Sequence, residues 1–440
     1  MAFQTRILFE EPNKDGGYSY YGASPKFIAF LKNFLIKNDE KIASVKMAIY
    51  LFNNFELHKT FTRLAEAGVK IEVTSIPLEG YDSRSPQSIL PSDDGFSFSE
   101  KQTKESLAKA VYNSFLKNEN PNYRLNIFPH TYIRSPKINP FSRGAIPYSL
   151  HTKSLFIEMK DGTNLLGITS SNLAMRDLPK HDYFLMKEAT ADESEVTRHF
   201  FTQLAANSIT VMEFQSKTDN FDVEIKSSNL HPQSDTFFMA PFYANSPEKA
   251  EIIISDIFRG AKKRIWLITQ HLSSFNYPVP LQFRIKNQTS AIQKREGCLS
   301  VLLKKAAEGL DVRCMSQTFA DENISENQFR VPANTYNFKQ FIKAFRKNSN
   351  SHYKVNEHIH SKYIIADDVV LATTFNYTPT QFISLPFVNI PKFEKIPGLK
   401  YKGIFSEVGQ LLRITRKQEV GCFLKNFEYV WTHPDTVLTI

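Results

Sequence analysis

The chain has 440 residues, of which 42% are hydrophobic and 22% charged. This composition excludes a disordered tail and exceeds one ordinary hydrophobic core, so two domains or two fused halves are expected. Lys and Arg outnumber Asp and Glu by 54 to 45, a formal charge of +9, which suits an anionic partner such as nucleic acid or a phospholipid surface, or simply a basic enzyme surface.

Only three cysteines occur, Cys298, Cys314 and Cys422, none in a C-x-x-C pair, which argues against a disulfide framework or zinc site and fits a reducing compartment. The N-terminal segment MAFQTRILFEEPNKDGG has no apolar signal-peptide core, and no run of about 18 or more apolar residues follows. The expectation is a soluble, cytoplasmic chain.

In chain order, Ser24-Pro25 opens FIAFLKNFLIKN, whose Phe27, Phe30, Leu31 and Phe34 fall on one helical face. Serine reads as the cap and proline as the first helical residue. The β-rich run SVKMAIYLF (44–52) predicts a strand. ELHKTFTRLAEAG predicts a helix closed by Gly68, and VKIEVTSI (69–76) a second strand. Residues 78–150 read as an insertion with one helix around ESLAKAVYNSFLKN, capped by Ser99 and Gln102, then the proline-rich SPKINPFSRGAIPYS. His151-Thr152-Lys153 then leads into the apolar run Leu155-Phe156-Ile157, expected to be a buried strand with the pair at its start. A second strand and the turn GITSSN (167–172) follow.

A polar, turn-rich connection comes next, and then the same order recurs. Ser246-Pro247 opens EKAEIIISDIFRG, RIWLITQ (264–270) reads as a strand, CLSVLLKKAAEG as a helix closed by Gly309, and LDVRCMS (310–316) as another strand. His360-Ser361-Lys362 precedes Tyr363-Ile364-Ile365-Ala366, and LATTFN (371–376) closes the unit. The expected organisation is one α/β unit duplicated, residues 1–218 and 236–440 with a linker over 219–235. Residues 277–297 and 381–403 are insertions of the kind that form walls or lids. The stretch NFKQFIKAFRKN (337–348) reads as an amphipathic helix, with Phe338, Phe341, Ile342 and Phe345 on one face and Lys339, Lys343, Arg346 and Lys347 on the other. It suits a docked surface helix, or alternatively a basic face that tracks a phosphate backbone or a membrane.

Residues two apart in a strand project from one face, so each His-x-Lys presents an imidazole beside an ammonium, an arrangement suited to an anion. About 0.14 copies of His-x-(basic)-x4-(acid) are expected in a random chain of this composition. Two copies occur, each at the same place in a repeat and each followed by small-x-Asn. A metal-binding reading of His358-x-His360 lacks an accompanying carboxylate or cysteine cluster.

On these motifs the chain resembles the phospholipase D superfamily, whose signature is two His-x-Lys-x4-Asp motifs followed by small-residue turns ending in Asn. His360, Lys362 and Asp367 match one signature fully. His151 and Lys153 match the other, with Glu158 at the aspartate position. Ser170 and Asn172 match the turn, and Thr374 and Asn376 match it with threonine for serine. The resemblance implies two fused α-β-α repeats, each a mixed sheet flanked by helices, related by a pseudo-twofold axis with the active site at the repeat interface.

It also implies metal-independent phosphodiester chemistry. His151 attacks phosphorus to form a phosphohistidine, and His360 protonates the leaving oxygen. Lys153, Lys362, Asn172 and Asn376 hold the phosphate oxygens. Asp182 and Glu407 are the candidates for the acids that orient the histidines, and Glu158, Asp367, Ser170 and Thr374 give support. No cofactor and no metal are called for. Two motifs in one chain complete a site within a monomer, and a homodimer is compatible. A nuclease acting on DNA or RNA is the preferred reading; a phospholipase D or phosphatidyl transferase and a catalytically weak nucleic-acid-binding module are the alternatives.

Overall fold

The computed structural model describes residues 3–12, 24–76, 104–128, 150–175, 179–216, 228–229, 234–243, 245–272, 297–317, 345, 347–348, 350–377, 382, 384–385, 404–405 and 408–438. They divide into two compact units, one built from residues up to 128 together with 150–234 and the other from 235 onward.

The first unit contains β1 (Arg6–Glu10), α1 (Pro25–Lys37), β2 (Ile42–Ala48), α2 (Phe55–Glu66), β3 (Lys70–Ser75), α3 (Lys104–Lys117), β4 (Tyr123–Ile127), β5 (Ser154–Met159), β6 (Asn164–Thr169), β7 (Asp182–Glu188), α4 (Ala191–Ala206), β8 (Ile209–Thr210) and α5 (Val211–Ser216). Its eight strands form one sheet in the order β1-β7-β6-β5-β2-β3-β4-β8. The β2-β3 and β3-β4 pairs are parallel and the rest antiparallel.

The second unit contains β9 (Thr236–Met239), α6 (Ser246–Gly260), β10 (Arg264–Thr269), α7 (Cys298–Ala307), β11 (Asp311–Ser316), β12 (Ser351–Val355), β13 (Tyr363–Ala366), β14 (Val369–Thr373), the short pair β15 (Ser384–Leu385) and β16 (Ile404–Phe405), β17 (Gly409–Ile414), α8 (Lys417–Thr432) and β18 (Val437–Leu438). Its main sheet runs β18-β12-β11-β10-β13-β14-β17-β9. With β10-β11-β12 parallel and the rest antiparallel, it repeats the first sheet strand for strand. The duplicated mixed α/β unit expected from the sequence is what the chain folds into.

The elements follow from their residues. Leu155, Phe156 and Ile157 in β5, and Tyr363 through Ala366 in β13, are all buried, as continuous apolar runs are when helices cover both faces of a sheet. Helix α1 buries Phe27, Ile28, Leu31 and Leu35. Helices α2 and α7 end in the same left-handed glycine, Gly68 at φ 90° and Gly309 at φ 87°. In both, the glycine N–H and the next N–H return to the last turn: Gly68 to Ala65 and Val69 to Leu64, Gly309 to Ala306 and Leu310 to Lys305.

Four expectations need correction. Ser24 and Ser246 do not cap their helices through their side chains. The Ser24 hydroxyl is directed instead to Ser171 Oγ at 2.8 Å, and Glu10 of β1 accepts the Lys26 N–H at 3.2 Å; Ser246 Oγ bonds the backbone of Ala240. The strand expected over 44–52 stops at Ala48, where its partner strand β5 begins at Ser154. Beyond it, Ile49 N–H donates to the Thr74 carbonyl and the Tyr50 carbonyl accepts the Ile76 N–H, both on the β3 side. Each His-x-Lys pair precedes its strand and is not part of it, although Lys153 and Lys362 still give their carbonyls to Thr169 and Thr373 N–H. Finally, residues 78–150 are more than an insertion, because β4 extends the parallel part of the sheet. The cap proposed at Ser99 and Gln102 lies outside the described residues, as do residues 277–296 and 386–403.

All three cysteines are free thiols. Among the described residues, no helix is long and apolar enough to cross a membrane.

Candidate active site

In the first unit, β5 and β6 converge at their motif ends on the segment 151–153 and the turn 170–175. Lys153 is 2% exposed, and its ammonium donates to the carbonyl oxygen of His151 at 2.6 Å. The second unit repeats the contact. Lys362, fully buried, donates to the His360 carbonyl at 2.5 Å. A lysine curled back on the carbonyl of the histidine two residues earlier anchors the intervening backbone.

The small-x-Asn turns are fixed in parallel ways. Ser170 N–H donates to the Tyr183 carbonyl, and Tyr183 N–H donates to Ser170 Oγ at 3.0 Å. Ser170 then gives its own proton to Asp182 Oδ1 at 2.5 Å. In the second unit, Thr374 N–H donates to the Gln410 carbonyl and Thr374 Oγ1 accepts the Gln410 N–H at 2.9 Å. Serine and threonine at these positions thus tie the turn to the next strand, β7 or β17.

Each turn is also tied to the loop after the first central strand. Asn53 and Met175 exchange hydrogen bonds, Asn54 Nδ2 donates to the Leu173 carbonyl, and Asn54 Oδ1 caps α2 at Leu57 N–H. Leu173, immediately after Asn172, is held at φ 49°, a conformation uncommon for a branched side chain and maintained only by such surroundings. In the second unit, Asn376 Oδ1 accepts the His271 N–H at 3.2 Å and lies 3.4 Å from the Thr269 hydroxyl. Asn172 differs: its amide oxygen is buried and, among the described residues, meets no hydrogen-bond donor. Leaving such a group unsatisfied costs about 1–3 kcal/mol, which is tolerable where a ligand or water completes the set.

The two acids at the signature positions serve the scaffold. Glu158 accepts from Ser44 at 2.6 Å and from Arg198 at 2.9 Å and lies 3.7 Å from Lys46. Burial works against its charge, but these hydrogen bonds and cations prevail and hold its carboxyl below the ordinary value. Asp367, at φ 50° in the tight β13–β14 turn, accepts the N–H groups of Lys262, Lys263 and Arg264 at 2.8, 2.9 and 3.0 Å. Burial again opposes the charge and the three donors outweigh it, lowering its pKa.

Asp182 opens β7, is 3% exposed and pairs in register with Glu10 of β1, itself 5% exposed. Burial raises the Glu10 pKa and the Asp182 charge adds to the rise, against the Lys26 N–H and ammonium. In the second unit the residues at the same register are Gly409 and Met239. A Cβ at Gly409 would stand 2.6 Å from the Phe375 ring. The second unit therefore holds no acid at the position equivalent to Asp182; Glu407, two residues earlier, lies outside the described residues.

Of the basic helix expected over 337–348, Phe345 is fully buried and Lys347 exposed, while Lys339, Lys343 and Arg346 lie outside the described residues. His358 meets Glu357 at 3.3 Å, and among the described residues no cluster of three or more His, Cys, Asp or Glu is placed to hold a metal ion. Sequence reading missed Tyr50, Asn53, Asn54, Glu10 and the backbone role of His271. Only the Asn-Asn step ahead of α2 carried a signal, since it is a helix-capping pattern.

No protein-family model matches the sequence, and neither does any curated protein sequence. Solved structures do match. Phosphatidylserine synthase of Haemophilus influenzae Rd KW20 superposes with a TM-score of 0.52 at 12% identity, over 100% of this chain and 88% of that one. Polyphosphate kinase of Porphyromonas gingivalis superposes with a TM-score of 0.50 at 8% identity, over 98% of this chain and 51% of that one. The chain thus spans about half the length of the kinase, and what it shares with both proteins is the fold.

Proposed function

We propose that the chain is a metal-independent phosphodiesterase of the phospholipase D superfamily, most specifically a nuclease cleaving DNA or RNA through a phosphohistidine. The observation that carries this reading is the duplicated motif: two units of one fold each place a buried lysine on the carbonyl of the histidine two residues before it.

In this reading both motifs act on one phosphorus. His151 attacks it while the bond to the leaving oxygen breaks, and His360 supplies that oxygen with a proton. Water then gives a proton back to His360 and attacks phosphorus, breaking the P–N bond and releasing the phosphate product. Lys153 and Lys362 offset charge on the non-bridging oxygens, and the amides of Asn172 and Asn376 position them. Covalent and acid–base steps are both assigned to histidine, so no step calls for a metal. The net charge of +9 favours a polyanionic substrate, with Lys339, Lys343, Arg346 and Lys347 as candidates for tracking its backbone. Phosphatidyl transfer is the second reading, suggested by the fold shared with a phosphatidylserine synthase.

The test is to incubate the protein with labelled single- and double-stranded DNA and RNA, with and without EDTA, and in parallel with short-chain phosphatidylcholine and an alcohol. Cleavage of nucleic acid that survives chelation and is lost in His151→Asn and His360→Asn is the expected result. Alcohol transfer with nucleic acid untouched would replace it with the second reading. Equal nucleic-acid affinity and no turnover in wild type and His151→Asn would make the chain a binding module.

A further inference from the structure

The ring of Tyr50 stands against the imidazole of His151, with centroids 6.1 Å apart and planes at 70°. This is the edge-to-face geometry favoured between aromatic rings. Tyr50 is half-buried, and its backbone is fixed: its carbonyl accepts the Ile76 N–H at 3.2 Å, and the preceding Ile49 N–H donates to Thr74. The ring is therefore carried on main chain tied to the end of β3.

At the equivalent position the second unit has a glutamine. Lys46 faces Phe156 across β2-β5 as Trp266 faces Ile365 across β10-β13, and each motif histidine lies five residues before that partner. Four residues beyond Lys46 is Tyr50, and four beyond Trp266 is Gln270. The backbone confirms the equivalence, since Gln317 N–H donates to the Gln270 carbonyl at 3.2 Å as Ile76 does to Tyr50. The Gln270 amide is bonded sideways to Gln317 Oε1 at 3.2 Å.

We propose that Tyr50 is a positioning residue for His151, its ring fixing the plane of the imidazole so that one nitrogen is held on the line of attack. The inference rests on the reading of His151 as nucleophile. A nucleophile must align an orbital with phosphorus, and a small misplacement can cost about a hundredfold in rate. The second unit has Gln270 at the equivalent position, a difference that suits a histidine that only transfers protons. The observed contact is made by the ring, and the effect is assigned to it.

Tyr50→Phe, Tyr50→Leu and Tyr50→Gln in the full chain test this, the last installing the second unit's residue. On a nucleic-acid substrate, Tyr50→Phe should stay within about twofold of wild type. Leu and Gln should lower kcat and the rate of phosphoenzyme formation about ten- to a hundredfold with KM little changed. In histidine-labelled protein, the His151 ring resonances, identified by their loss in His151→Asn, should move in Tyr50→Gln and stay in Tyr50→Phe, with those of His360 unmoved in both.

Wild-type phosphorylation rates in Tyr50→Leu, losses as large in Tyr50→Phe, or unmoved His151 resonances in Tyr50→Gln would each overturn the inference. A wild type that forms no phosphohistidine would instead overturn the underlying reading. The resonance measurement would then still decide whether the ring sets the imidazole.

Discussion

Asp182 and Gly409 occupy one position in two copies of the same sheet: each immediately precedes the strand residue, Tyr183 or Gln410, whose N–H is received by the hydroxyl of the small-x-Asn turn. In the first unit the position holds a buried carboxylate bonded by Ser170. In the second it is closed by Phe375, which replaces Ser171 in the turn and stacks edge-on with Phe382. The duplicated fold has kept its backbone ties while its acids have diverged.

Gly409 is consequently a packing requirement. A methyl group there would meet the Phe375 ring at 2.6 Å and Met239 at 3.3 Å, so Gly409→Ala should destabilise by about 1–3 kcal/mol. In a cycle with Phe375→Leu, the two substitutions should couple by about 1 kcal/mol or more, because the smaller side chain relieves the clash. Urea unfolding of the four proteins checks this, and strict additivity would count against the contact.

Asp182→Asn keeps the size of the side chain and removes its charge. If this carboxylate orients a catalytic imidazole, as the family resemblance implies, kcat should fall about a hundredfold or more, with little effect on substrate affinity. Ser170→Ala withdraws one donor from the carboxylate and should cost about tenfold. Steady-state rates across pH provide the measurement; an Asp182→Asn protein of unchanged kcat would remove Asp182 from the mechanism.

How much of this was legible beforehand depended on range. The duplication could be read because its markers are local: Pro25 and Pro247 inside helix starts, Gly68 and Gly309 just past helix ends, and two copies of His-x-Lys. What could not be read is set by contacts across the sheet. Ser24 looked like a cap, but Glu10, on a strand fourteen residues earlier, takes the N–H it would have bonded. Residue type points to Glu407 as a counterpart of Asp182; pairing register puts Gly409 at the equivalent position, and Glu407 itself lies outside the described residues. The strands β4 and β12 were missed because five-residue segments gain their identity from the neighbour they pair with.

Asp367 links the β13–β14 turn to the segment entering β10. Asp367→Ala should lose three charge-assisted hydrogen bonds and strain the left-handed backbone, destabilising the second unit by about 2–4 kcal/mol. Asp367→Asn, which tolerates the same backbone, should cost less. The lowered pKa fixes the sign with pH: the charged form is favoured in the folded state, so this stabilisation is complete above the ordinary carboxylate range and is lost as pH falls through the folded-state value. Thermal melts of the three proteins at neutral and acid pH test both statements.

His58 sets a second acid limit on stability, far in sequence from either motif. It lies in α2 with Nδ1 3.2 Å from the Tyr123 hydroxyl and Nε2 3.1 Å from Ser114 Oγ. Burial, aided by the charge of Lys59, lowers its pKa to about 4 from 6.5. Between those values the unfolded chain takes up a proton that the folded chain refuses, so stability must fall as pH drops from about 6.5 and level off below about 4. A displacement of this size corresponds to roughly 3 kcal/mol. His58→Gln retains a donor and an acceptor but does not titrate. Its unfolding free energy, measured in urea from pH 4.5 to 7, should lose that part of the slope while the wild type keeps it. Parallel curves for the two proteins would mean that His58 is protonated in the folded state and that its partners are arranged for the cation.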